Sequence, residues 1–327
     1  MKAFAYVKAA GEKQAIAALA APGGKALPLA GGMDLIGLMK DYVAQPDRLV
    51  SVKELDASIT KSPNGGLRIG SAVTLADLAA NADARRLYPA LTDAAAEVGT
   101  PQIRNAGTVG GNLNQRPRCW YFRNEEFNCL KKSGSRCFAV DGENKYHAIF
   151  GEGPCHIVHP SSLAVPAIAL DARFRIVGPG GEREVAAAEY YQMPDKNLYG
   201  ETILGPSDLL THVILPPPGQ TRNATYEVRF KQSHDWPLAM ASVALSVQGQ
   251  NVRAARIVMG SVAPVPWRSP AAETVLVGKR LTEQAAMEAA DAAVAAAKPM
   301  SQNAYKVQIA RTAVKRAILK AAGMKVV

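Results

Sequence analysis

The sequence predicts an α+β protein in two parts, and three observations predict it. As far as Leu215 the chain mixes short strand and helix signals without a clean βαβ repeat. Pro216-Pro217-Pro218-Gly219 then reads as a stiff linker. Beyond it, three strand-like runs are followed by helical ones, the pattern of an antiparallel sheet covered by a helical layer. The expected division is residues 1–216 and 217–327.

Composition narrows the class. At 327 residues two or three compact units are expected, and 48% apolar with 20% charged residues excludes global disorder. The net charge of +10 comes from Lys and Arg spread along the chain, so these are expected mostly on a solvated face, and no nucleic acid partner is expected. No run of roughly twenty apolar residues appears, so no membrane span is expected either. Met1 to Lys8 holds no sustained apolar stretch, which argues against a secretory signal and for a cytoplasmic location. A folded complex exported on a partner's signal would instead be periplasmic.

Met1 to Val7 reads as a strand and Gln14 to Leu19 as a helix. After a Pro22-Gly23-Gly24 break, Ala26 to Ala30 is a short apolar strand. Gly31 and Gly32 follow directly, and Asp34 opens an apolar-periodic helix from Leu35 to Tyr42. Such a turn lets backbone N–H groups face a ligand oxygen with no Cβ in the way, so a pyrophosphate would fit; a plain tight turn would use the same residues. Strands are expected over Arg48 to Val52 and Leu67 to Ser71, the second behind a Pro63-Asn64-Gly65-Gly66 turn. Helices are expected from Thr74 to Leu78 and from Leu91 to Val98.

Ile103 to Asn112 reads as a Gly-rich loop. Gly107, Gly110 and Gly111 let backbone approach a ligand, while Thr108 and Asn112 offer side-chain hydrogen bonds. Two such loops point to a dinucleotide, although the G-x-G-x-x-G of an ordinary Rossmann fingerprint is absent. Further on, His159-Pro160-Ser161-Ser162 precedes a helix from Leu163 to Leu170, and strands follow over Arg173 to Val177 and Leu210 to Leu215. In the second part strands are expected over Thr225 to Lys231, Ala241 to Val247 and Val252 to Met259. Thr282 caps an Ala-rich helix reaching Ala297. In the last helix, Val307, Ala310, Val314, Ala317 and Ile318 share one face, with Lys306, Arg311, Lys315 and Lys320 lying elsewhere.

The chain's four cysteines, Cys119, Cys129, Cys137 and Cys155, all fall within 37 residues. Their spacing, C-x9-C-x7-C-x17-C, has no C-x2-C knuckle and matches neither a zinc ribbon nor the bacterial ferredoxin run. Such confinement favours a metal over disulfides or unrelated thiols. Four thiolates suit tetrahedral zinc and a [4Fe–4S] cluster alike, and spacing does not choose between them. Arg116, Arg118, Arg123, Lys131, Lys132 and Arg136 would offset the charge. The segment is polar and turn-rich, with little expected core, so a metal would supply its folding energy. His147, His156 and His159 stand nearby, either as replacement ligands or as ordinary loop histidines.

Several of these stretches resemble one family. Leu29-Ala30-Gly31-Gly32-Met33-Asp34-Leu35 is similar to the first loop, and Ile103 to Asn112 to the second, of the FAD-binding middle subunits of molybdenum hydroxylases. Phe230-Lys231-Gln232 resembles the family's flavin-proximal lysine strand, and Met259 to Arg268 its C-terminal signature. The resemblance implies a two-lobed FAD domain of the vanillyl-alcohol-oxidase type followed by a small C-terminal domain. Gly31 to Asp34 would cradle the pyrophosphate, and Gly107 to Asn112 would complete the phosphate and ribose contacts. Ile103, Arg104, Leu210 and Lys231 would lie towards the flavin ring. The family's aspartate at the helix start aligns with Ser162, and Met33 stands where a threonine is usual. The insertion from about Arg116 to Ile157 is similar to one that holds a [4Fe–4S] cluster in the aldehyde oxidoreductase and 4-hydroxybenzoyl-CoA reductase subgroup, which tips the metal from zinc to iron–sulfur. By the same resemblance, the partners would be a large molybdenum-cofactor subunit and a small [2Fe–2S] subunit, with a ferredoxin-like protein as one candidate acceptor. No residue of this chain is expected to act as an acid, base or nucleophile on substrate.

Overall fold

The computed structural model describes every residue except Gln232 and Val327, so the Gln232 end of the lysine strand lies outside the described residues. The chain begins with a parallel sheet in which β3 (Arg48–Ser51) lies between β1 (Ala5–Lys8) and β2 (Ala26–Leu29). The helix Glu12–Ala20 carries the chain from β1 to β2 and buries Ala15 and Leu19. This parallel crossover unit was not visible as a repeat, because strands of four residues are too short to display a period. The helix Leu35–Lys40 stops short of Tyr42, whose φ of 55° takes the backbone out of the right-handed region.

A five-stranded antiparallel sheet follows, made of β4 (Ile59–Lys61), β5 (Leu67–Gly70), β6 (Arg173–Gly178), β7 (Gly181–Ala186) and β8 (Leu209–Leu215) in the order β4-β5-β8-β6-β7. The expected turn closes the β4–β5 hairpin, with the Gly66 N–H donating to Asn64 Oδ1 at 3.0 Å. Leu67 pairs across to Leu215, so segments distant in sequence share one sheet. Leu67, Ile69, Phe174, Ile176 and Val213 form a core with residues of the helices Leu75–Ala80, Pro89–Ala96 and Ala164–Ala169. β7 is an edge strand with mostly exposed, charged side chains, which hid it from an apolar-pattern search.

The third sheet is antiparallel: β9 (Thr221–Arg229), β10 (Pro237–Gln248), β11 (Asn251–Gly260) and the two-residue β12 (Trp267–Arg268), ordered β12-β11-β10-β9. It has four strands rather than the three expected. The helices Pro270–Leu276, Glu283–Val294 and Tyr305–Ala321 share its core. Ala285, Ala286, Ala289, Ala290 and Ala293 are all buried, and such small side chains let a helix approach closely. The Ala-rich helix ends at Val294, short of Ala297. Lys306 is not on a solvated face: it is 1% exposed, and its ammonium donates to the carbonyls of Tyr146, His147 and Ser261. Among the described residues no helix is long and apolar enough to cross a membrane.

Candidate cofactor sites

Ile103 to Asn112 is not a loop but two short helices, Pro101–Ala106 and Val109–Leu113, meeting at Gly107-Thr108. Thr100 and Thr108 cap them, the first accepting from Ile103 N–H and the second from Gly111 N–H. This turn packs directly on the Gly31-Gly32 turn that leaves β2. A Cβ at Gly31 would run into the Ala106 carbonyl, and Gly32 sits at φ 75°. Glycine at both positions is therefore a steric requirement, and it brings the two turns together.

They open on a cavity of about 1050 Å³. Leu29, Ala30, Gly31, Gly32, Met33, Asp34 and Leu35 line one side, and Ile103, Gly107, Thr108, Gly110, Gly111 and Asn112 another, with Ser162 and Leu210 also in the wall. Arg104 and Lys231 are not brought into it. Arg104 turns back to donate to the carbonyls of Val98 and Gly99, and Lys231 is exposed. The polar side chains are also less free than their residue types imply. Asn112 Oδ1 accepts from Ser161 Oγ at 2.8 Å and from Leu163 N–H at 3.2 Å, tying the second turn to the start of Ala164–Ala169. Ser161 Oγ in turn accepts from Ala164 N–H at 3.1 Å, at the start of the same helix. Asp34 pairs with Arg118 Nη1 at 2.9 Å and with Arg123, and accepts from Arg116 N–H at 2.8 Å. Arg118 also lies 4.4 Å from the Trp236 ring centroid, and burial pulls its pKa down to about 10. The cavity fits a large, extended ligand: glycine backbone is bared along one wall, and its volume is at the upper end of small-molecule sites.

The segment expected to lack a core has a small aromatic one. Tyr121, Phe127 and Phe138 pack with ring centroids 5.1–5.9 Å apart, and Phe122 and Cys129 pack against Leu38. Three sparsely spaced aromatics carry no period, so a pattern search does not find this core. All four cysteines line one small cavity of about 10 Å³, together with His147, Phe122 and Lys131. Cys119 Sγ lies 3.3 Å from His147 Nε2. Burial, then the Lys306 ammonium, pulls His147 down to about 4. Cys137 is pushed down to about 5, chiefly by its hydrogen bond with Cys155, and the same bond with burial pushes Cys155 up. Cys119 is raised to about 11 by burial. Among the described residues no three or more His, Cys, Asp or Glu side chains are drawn in around one metal-ion position. Of the candidate replacement ligands, His147 reaches the cavity, whereas His159 is buried against Tyr191, 4.5 Å between ring centroids.

Sequence reasoning missed the far wall of the large cavity. Tyr199, Gly200, Glu201 and Thr202 form part of it, in a stretch with no motif; Glu201 is buried and pairs with Arg116 Nε at 2.6 Å and Lys131 Nζ at 2.8 Å. Lys131 and Arg118, assigned above only as flanking charges, line the same cavity.

Residues 2–218 match the family model of the FAD binding domain in molybdopterin dehydrogenase, and residues 224–321 that of the CO dehydrogenase flavoprotein C-terminal domain. The chain is 36% identical to the aldehyde oxidoreductase FAD-binding subunit PaoB of Escherichia coli K12, over 95% of this chain and 96% of that one. It is 28% identical to the carbon monoxide dehydrogenase medium chain of Hydrogenophaga pseudoflava, over 93% and 92%. A solved structure of carbon monoxide dehydrogenase from that organism, lacking the Mo-pyranopterin moiety, superposes with a TM-score of 0.76 at 26% identity, covering 98% of this chain and 97% of that one. With two glycine turns facing one cavity and family matches spanning nearly its whole length, the chain belongs to the FAD-binding medium subunits of the molybdenum hydroxylases.

Proposed function

We propose that this chain is the FAD and [4Fe–4S] electron-transfer subunit of a heterotrimeric molybdenum hydroxylase of the aldehyde oxidoreductase kind. Its partners would be a large molybdenum-cofactor subunit, where substrate is oxidised, and a small [2Fe–2S] subunit. The observation that carries the reading is the pairing of two cavities, one faced by both glycine turns and the other by all four thiols, with Phe122 and Lys131 in the wall of each.

Leu29 to Leu35 and Gly107 to Asn112 would hold the pyrophosphate and ribose of FAD, and Ile103, Ser162 and Leu210 would border its ring. Bound FAD would supply the exchange between two-electron and one-electron transfer. Cys119, Cys129, Cys137 and Cys155 would hold the [4Fe–4S] cluster, a one-electron centre. Arg118, over the Trp236 ring, lines the larger of the two cavities. Residues 1–216, including the insertion over 116–157, would form the flavin domain, and residues 217–327 the smaller one. The external acceptor would be a separate molecule, and the net charge of +10 suits an acidic, ferredoxin-like protein.

A visible spectrum of this chain purified free of its partners, with flavin, iron and zinc analysis, tests the reading. Flavin and iron together are expected in this chain. Flavin without iron would overturn the cluster, and zinc without flavin would overturn the whole assignment. Cys129→Ser, with FAD occupancy monitored, then separates a relay from a staple, because unchanged rates with every acceptor would exclude the relay.

A further inference from the structure

Lys131 occupies an unusual place. Its side chain is 1% exposed and reaches the wall between the two cavities, which Phe122 completes. The ammonium is held by the carbonyls of Leu198 at 2.8 Å and Gly200 at 3.2 Å, and lies 2.8 Å from Glu201 Oε1. Glu201 is itself buried and shared with Arg116. Of these three charges only Lys131 lines the thiol cavity; Glu201 and the one-third exposed Arg116 line the flavin cavity alone, so the positive end of the network faces the thiols. A lysine that served only as a surface ion pair would not be buried with a carboxylate and two carbonyls beside a thiol cavity.

Resting on the reading above, we propose that Lys131 is the positioning residue that sets the cluster's reduction potential. A fixed positive charge beside a redox centre favours the form carrying the extra electron, and in a buried partition this field is weakly screened. Lys131 raises the potential of the cluster, and Glu201 moderates that effect. Because Lys131 also lines the flavin cavity, it acts on the flavin in the same direction.

The test is a redox titration of the intact complex, following the cluster by electron paramagnetic resonance and the flavin by absorbance, in wild type, Lys131→Met, Lys131→Arg and Glu201→Gln. Iron and flavin contents are measured on each. The expected result is a cluster midpoint shifted down in Lys131→Met, shifted up in Glu201→Gln, and close to wild type in Lys131→Arg. A purely structural role would move Lys131→Met and Glu201→Gln in the same direction, or lower iron content without moving the midpoint, and either result overturns the inference. If Lys131→Met does not assemble, the upward shift in Glu201→Gln decides the sign alone. A reduced wild-type complex showing only the slowly relaxing paramagnetic signals of [2Fe–2S] centres, and none of the fast-relaxing [4Fe–4S] kind, would overturn the cluster assignment itself, and that spectrum separates this failure from a midpoint that does not move.

Discussion

Lys306 shows how a single side chain departs from the pattern of its helix. The apolar stripe of Tyr305–Ala321 put it among solvated lysines, yet it points at residues 146–147 and Ser261 and finds three carbonyls and, among the described residues, no carboxylate. Nothing in the helical period announces this, because the carbonyls come from elsewhere in the chain. Burial lowers its pKa from 10.5 to about 7. The sign of the linkage follows: between those values the unfolded chain keeps a proton that the folded chain releases, so stability rises with pH across that window, and the slope vanishes below it where both states are protonated. The melting temperature of wild type minus that of Lys306→Met should therefore climb from about pH 7 towards about pH 10. A flat difference would mean that the carbonyls keep the ammonium charged. Asn112 makes a second case. It was legible as a polar loop residue, but its carbonyl oxygen is spent on Ser161 and Leu163. Asn112→Ala leaves both donors buried without that acceptor and should cost about 1–3 kcal/mol, read from denaturant unfolding of the complex.

At the scale of elements, what could be read depended on length and caps. β10, with twelve residues, and the helices capped by Thr74 and Thr282 followed from pattern, whereas the four-residue parallel strands and the polar edge strand did not. Of the two helices over 101–113, Val109–Leu113 was hidden by its two glycines and Pro101–Ala106 by its shortness. Thr100-Pro101 was the available signal, a capping residue followed by proline at the first helical position. Their junction meets the first glycine turn so closely that Gly31 tolerates no Cβ against the Ala106 carbonyl. Relieving that overlap must separate the two turns, and with them two walls of the large cavity. Gly31→Ala should carry an overpacking cost of about 1–3 kcal/mol, and at 1.4 kcal/mol per decade it should weaken FAD retention by about tenfold or more. Flavin content after gel filtration checks this, and full occupancy would show that the backbone yields without disturbing the site.

At the scale of the whole molecule, the cysteine insertion is fastened at both ends to parts of the chain remote in sequence. At its start, Arg116, Arg118 and Arg123 converge on Asp34, at the head of the helix behind the first glycine turn. At its end, Asn144 exchanges hydrogen bonds with Gln302, while Asn303 donates to the carbonyls of His147 and Ala148. The clustering of cysteines and the glycine turns were legible because they are local; the fastenings were not, since an aspartate after two glycines gives no hint that three arginines more than eighty residues away will find it. The two ends make separable predictions. Asp34→Ala strands Arg118 and Arg123 in a partly buried site and removes charged hydrogen bonds worth about 2 kcal/mol, so it should expose the start of the insertion. Limited proteolysis mapped by mass spectrometry should then show new cleavage over residues 116–133, accompanied by loss of FAD. Asn303→Ala loosens the other end, which does not border the flavin cavity, so cleavage should move to residues 141–148 with FAD retained. If both variants instead gave the same cleavage pattern, the insertion would be one rigid unit that opens all at once rather than a segment fastened separately at its two ends.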